Sequence, residues 1–145
     1  MADMNGIADL TRLLSSMAPT LSPGRFVFAA VSDAEIVDSL DPLCVFREKE
    51  ATTVVCAQEQ AAQAGLETEG IYRQITLQVH SSLQAIGFLA AVASALAAAG
   101  IPCNAVSAFY HDHLFVPEEM AAQAMEVLTS LTRTDPDTCR HDHAT

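Results

Sequence analysis

The chain has 145 residues, half of them hydrophobic and 17% charged, with a formal net charge of −11. That is enough apolar material for one core or two small ones, and the pattern excludes disorder over most of the length. Seven basic residues, mostly isolated, stand against eighteen acidic ones, so no phosphate-neutralising patch can form and neither nucleic acid nor an anionic membrane surface is an expected partner.

The start, Met1-Ala2-Asp3-Met4, is acidic, and the first basic residue is Arg12, which argues against a secretory leader. Ile7, Leu10, Leu13, Leu14 and Met17 recur at helical spacing, predicting an amphipathic helix capped near Asn5. Pro19 and then Ser22-Pro23-Gly24 end it and turn the chain. Arg25–Val31 reads as a buried strand, and Asp33–Pro42 as a loop with a helical turn around Ala34–Leu40. Leu43–Arg47 and Thr52–Cys56 form a hairpin with Glu48-Lys49-Glu50 at its tip, followed by a short helix over Gln58–Ala64 that Gly65 stops.

The second half is more regular. Ile71–Val79 alternates as a half-exposed strand, with Arg73 as the exception on its apolar face. His80–Gln84 is a loop, and an Ala-rich helix follows to Ala99, with Gly100 just past its end. That helix of about sixteen residues reaches ~24 Å, short of the ~30 Å hydrocarbon core, which favours a buried helix over a membrane span. Ile101–Tyr110 reads as a strand, His111-Asp112 as a turn, and His113–Val116 as its partner strand. Pro117-Glu118-Glu119 opens a last helix whose apolar face is Met120, Ala124, Val127, Leu128 and Leu131. The segment from Thr134 onward is polar and reads as a frayed tail. The element order predicts an α+β sandwich with helices on one face of antiparallel sheets. The two halves suggest a degenerate repeat, though the sequence reading yields no residue-by-residue alignment.

Chemical motifs are sparse. There is no G-x-S-x-G, no P-loop, no G-x-G-x-x-G and no cofactor signature. The acidic Gly65–Gly70 stretch does not suit phosphate. Cys44, Cys56, Cys103 and Cys139 have no C-x-x-C spacing, so free thiols in a reducing cytoplasm are the expectation. His111 and His113 would share a strand face and could hold a metal, but Asp112 would point away and a third ligand is missing; a polar turn explains the same letters. Cys139-Arg140-His141-Asp142-His143 lies in the tail, where chelation would be adventitious.

The loop into the Ala-rich helix offers a different chemistry. Amides at a helix start near Ala85 suit a carboxylate, and Gly87 lets a ligand approach closely; the plain alternative is that Ser81 and Ser82 cap the helix and Gly87 packs on the sheet. Gly87-Phe88-Leu89-Ala90 resembles the helix start in the regulatory region of aspartokinases. Ala99-Gly100-Ile101-Pro102-Cys103-Asn104-Ala105-Val106-Ser107 resembles the passage into the second strand of an ACT domain, and Tyr110–Pro117 is similar to a signature of free-standing tandem ACT proteins. Met17-Ala18-Pro19 and Gly24–Phe28 are similar to the first domain of that family.

The resemblance implies two ferredoxin-like halves, 1–68 and 69–133, with 134–145 as a tail. The last strand of the second half is not evident after Leu131 and must come from elsewhere in the chain, from a partner, or be missing. The resemblance further implies a non-catalytic, amino-acid-binding regulatory module without cofactor or metal, acting as a homodimer. Candidate ligand residues are His80, Ser81, Ser82, Leu83, Ala85, Ile86, Gly87 and Phe88, with Asn104 and Ser107 on the neighbouring strand. Two alternatives remain open: a small metal- or histidine-dependent enzyme using His80, His111 and His113, and a purely structural interaction protein.

Overall fold

The computed structural model describes residues 4–79 and 85–133, with side chains from residue 10 onward. In chain order the elements are α1 (Met4–Ser16), β1 (Ala18–Leu21), β2 (Phe26–Val31), two 3-10 turns (Ala34–Ile36 and Asp38–Leu40), β3 (Cys44–Arg47), β4 (Thr52–Ala57), α2 (Gln58–Gln63), β5 (Tyr72–Gln78), α3 (Phe88–Ala98), β6 (Asn104–Ser107), β7 (Asp112–Pro117), a 3-10 turn (Glu118–Met120) and α4 (Ala121–Thr132). They fall into two compact units. One is an inserted unit, Ser22–Gln74; the other is a split unit made of Met1–Leu21 and Ile75–Thr145. The division falls within β5.

In the split unit, β5, β7 and β6 lie side by side in that order, and β6 pairs antiparallel with β7 from Asn104 opposite Phe115 to Ser107 opposite Asp112. Strand β1 lies antiparallel along β5, with Ala18 opposite Gln78 and Leu21 opposite Ile75. This is the strand that the sequence after Leu131 lacks: the chain's own N-terminal segment supplies it, completing a β-α-β-β-α-β arrangement. The sequence reading had only a turn there, because Pro19 and Pro23 punctuate it. Proline has no N–H to give a ladder, so it is tolerated on an edge strand such as this one.

The core is built from one face of these strands and from the helices. Ile75, Leu77, Leu114 and Val116 meet Phe88, Val92 and Leu96 of α3 and Ala121, Ala124 and Leu128 of α4, with Met17 buried among them. Leu10, Leu13 and Leu14 of α1 pack on the same cluster, as their helical spacing predicted. Each large side chain so buried contributes about 1.5–3 kcal/mol of transfer free energy.

In the inserted unit, β3, β4, β2 and the start of β5 lie in that order, with Phe26 opposite Tyr72 at the last pairing. Val27, Ala29, Val31, Leu40, Val54, Cys56 and Ala61 form its core. The expected helical turn around Ala34–Leu40 is present as the two 3-10 turns. Arg73, the apparent misfit of its strand, is explained here: its guanidinium donates to the carbonyls of Gly24 (3.1 Å) and Ser22 (2.8 Å), pinning the entry to β2.

Two boundaries differ from expectation. The second hairpin turns at Phe109-Tyr110, not at His111-Asp112: the Ala108 N–H donates to the His111 carbonyl at 3.0 Å, and β7 starts at Asp112. The exposed rings of Phe109 and Tyr110, edge-to-face at 5.0 Å, sit at the tip and had made the strand look longer. Helix α3 also starts later than predicted, at Phe88, with Gly87 as its N-cap.

Candidate functional site

Gly87 has φ 86° and ψ −13°, a left-handed conformation that favours glycine; this, rather than a place in the first turn, is why a glycine stands there. A Cβ on it would also lie 3.5 Å from Leu10 Cδ2. With no side chain, Gly87 cannot cap α3. The first backbone N–H groups of a helix have no intrahelical partner, and here they belong to residues that carry no charge. Ala85 and Ile86 lead into this helix start fully in the open, Ile86 being 91% exposed, whereas Phe88 is buried in the core. His80, Ser81, Ser82 and Leu83 lie outside the described residues.

Asn104 and Ser107 are exposed on β6, which β7 separates from β5. Side chains alternate along a strand, so these two point to opposite faces. Ser107 lies opposite Asp112, in line with Leu114 and Val116 on the helix-covered face; Asn104 lies opposite Phe115 on the other. A single ligand approaching one face therefore meets one of them. That much follows from counting residues, and the sequence reading overlooked it.

On β7, His113 Nδ1 lies 3.0 Å from Thr76 Oγ1. Burial pushes the His113 pKa below its ordinary value, the neighbouring His111 adds to this, and Asp112 opposes it. His111 Nδ1 is buried without a hydrogen-bond partner among the described residues. No group of three His, Cys, Asp or Glu side chains that could hold a metal occurs among the described residues. Of the thiols, Cys56 and Cys103 have raised pKa values, in both cases chiefly from burial. No described helix is long and apolar enough to cross a membrane.

The inserted unit holds a feature that the sequence reading did not single out. A cavity of about 720 Å³ is lined by Phe28, Glu67, Thr68, Glu69 and Tyr72. Phe28 faces away from the Val27, Ala29, Val54 and Cys56 core and meets Tyr72 edge-to-face, with ring centroids 5.1 Å apart. The signal was present in the alternation of Phe26-Val27-Phe28, which puts the aromatic rings on one face.

Seven antiparallel strands, with β5 divided between the two units so that each has a β-α-β-β-α-β element order in which 3-10 turns stand for the first helix of the inserted unit, define a tandem α+β protein. The sequence comparisons give it a family. Two ACT-domain models match, one over residues 5–73 and the other over residues 69–130. A crystal structure of a Vibrio cholerae protein of unknown function, described as a possible transport protein, is 44% identical to the chain, with a TM-score of 0.82 over 89% of this chain and 100% of that one. The chain belongs to the ACT-domain family and carries two ACT domains in tandem. An Agrobacterium tumefaciens protein shares the fold at 20% identity (TM-score 0.68, 80% of this chain and 89% of that one). So does the regulatory subunit of aspartate kinase from Thermus thermophilus in its ligand-free form, at 10% identity (TM-score 0.61, 80% of this chain and 96% of that one). No curated protein sequence matches the chain. The first family match includes α1 and β1, although both pack in the split unit.

Proposed function

We propose that this protein is a non-catalytic regulatory module of the cytoplasm that binds a small amino acid and acts as a homodimer. The observation that carries the reading is the start of α3: a helix capped by a left-handed glycine with no side chain to offer, approached by open residues. Ser81, Ser82 and the backbone amides near Ala85–Gly87 take the ligand's carboxylate, with His80, Leu83, Ile86 and Phe88 as the other candidates of this segment. Ser107 holds the ammonium group from the helix-covered face; Asn104, on the opposite face, has no part in that contact. The likeness in fold to an aspartate kinase regulatory subunit supports a regulatory role. The net charge of −11 favours a cationic amino acid over an acidic one.

A thermal-shift screen of the twenty amino acids tests this. A ligand at a hundred times its dissociation constant stabilises by about 2.7 kcal/mol. One amino acid is expected to raise the melting temperature, and Ser107→Ala and Gly87→Val to reduce that shift. A screen in which no amino acid moves the transition overturns the reading. Light scattering at high micromolar concentration is expected to return a dimer mass; a monomer overturns that part.

A further inference from the structure

The geometry points to a second binding site, in the inserted unit, for a small organic ammonium ion: a primary ammonium carried on a short alkyl chain. It uses the cavity of about 720 Å³ lined by Phe28, Tyr72, Thr68, Glu67 and Glu69. The depression is open to solvent over much of its extent, so it suits a small ligand held at few points rather than an enclosed one. The site owes nothing to the amides at α3 and stands or falls independently of them.

Three properties of the lining select the ligand class. First, Phe28 and Tyr72 meet at an interplanar angle of 75°. Whichever ring gives its edge in such a pair, Tyr72 keeps at least one π-face for a cation, and its ring gives an alkyl chain an apolar wall. Second, the rim carries two exposed carboxylates, Glu67 and Glu69, and no cationic side chain lines it. The cation nearest to them in sequence, Arg73, is spent on the carbonyls of Ser22 and Gly24. Third, Gly70 has φ +71°, and a Cβ there would lie 3.7 Å from Tyr72 Cε2; the glycine turns the acidic segment Glu67-Thr68-Glu69 beside the ring without covering it. The acidity that disqualifies Gly65–Gly70 as a phosphate loop is what an ammonium ion requires.

The chain has no tryptophan and two tyrosines, so Tyr110→Phe leaves Tyr72 as the sole reporter of intrinsic emission. Full-length Tyr110→Phe protein is titrated at low ionic strength with pentylamine, with L-lysine, and with pentanol as the neutral counterpart. Pentylamine or L-lysine is expected to change Tyr72 emission saturably, and pentanol not at all; the tighter of the two identifies a free amine or an amino acid as the source of the ammonium. Adding Glu67→Gln and Glu69→Gln is expected to weaken that binding at least tenfold, and these exposed positions leave the fold unchanged. The absence of a saturable response to both cations, an equal response to pentanol, or unchanged affinity in the double glutamine variant overturns the proposal.

Discussion

Two passages of this chain, sixty residues apart, are versions of one design. Strand β3 starts at Cys44 and β6 at Asn104; β4 starts at Thr52 and β7 at Asp112. The hairpins close alike, Glu48 N–H on the Ala51 carbonyl and Ala108 N–H on the His111 carbonyl, each at 3.0 Å. Buried Val54 and Cys56 answer to Leu114 and Val116, and Ala61 to Ala121, within the matching runs EQAAQA (59–64) and EMAAQA (119–124). Then they part. Gly65, at φ +68°, ends α2 after six residues, while Met125 lets α4 run on to Thr132. The crossovers differ in the same sense. In the inserted unit it is a pair of 3-10 turns, the first capped by Asp33 Oδ1 accepting from the Glu35 N–H at 2.9 Å. In the split unit it is an eleven-residue helix whose cap has no side chain. The same hairpin thus carries either a thin cover with a side-chain cap or a thick one without.

The largest expected effect lies where the repeat breaks. Leu128→Ala, in the part of α4 that α2 lacks, should destabilise the split unit by about 2–5 kcal/mol, because its side chain is fully buried. Leu66→Ala, just past Gly65 and only partly buried, should cost roughly 1–2 kcal/mol. Urea denaturation of both variants measures the difference, and equal losses would mean that the longer helix is not what stabilises the split unit.

The two crossovers give the next effect. Gly87→Val forces a β-branched side chain into φ 86° and should cost about 1–3 kcal/mol. Asp33→Ala removes the cap of the opposite crossover and should cost on the order of 1 kcal/mol. Melting curves in which Gly87→Val is as stable as the parent protein would remove the conformational reason for that glycine.

The smallest effect depends on pH. His113 occupies the place that Thr53 holds in the other hairpin, where the hydroxyl donates to Glu48. The folded-state pKa of His113 is lowered, so the unfolded chain binds the proton more readily. Stability is therefore highest above the ordinary value of 6.5 and declines as pH falls through it toward the folded value. His113→Thr should flatten that part of the stability profile; an unchanged slope would assign it to other groups.

The sequence made the β-strands and amphipathic helices legible because alternation and helical spacing record which side faces a core. Met17, Leu10 and Leu13 announced α1, and Leu114 and Val116 announced β7. It hid β1, since four residues with Pro19 among them and Pro23 just beyond offer no periodicity, and pairing with β5 is a non-local event. It misplaced the turn at Phe109-Tyr110 because aromatic residues suit strands as well as exposed tips. The left-handed state of Gly87 was invisible for a similar reason: a glycine within an apolar run reads equally as packing. The repeated EQAAQA and EMAAQA runs were in plain view, and comparing positions sixty apart would have aligned the halves. Of the candidate ligand residues, the helix start could be approached from sequence, whereas the cavity depends on a loop and two strands meeting.

The split layout also sets an order of events during synthesis. Residues 4–21 leave the ribosome before both units' other elements, yet β1 has no strand to pair with until β5 has emerged, and the α4 that covers the same core comes some forty residues later still. At about 5–20 residues per second that is a wait of several seconds. The inserted unit, whose strand pairings β3–β4, β4–β2 and β2–β5 are made by residues within Ser22–Gln74, can close in the meantime. An amphipathic helix with Leu10, Leu13 and Leu14 on one side, and Met17 just past it, must therefore be kept from other apolar surfaces until β5 and α4 arrive.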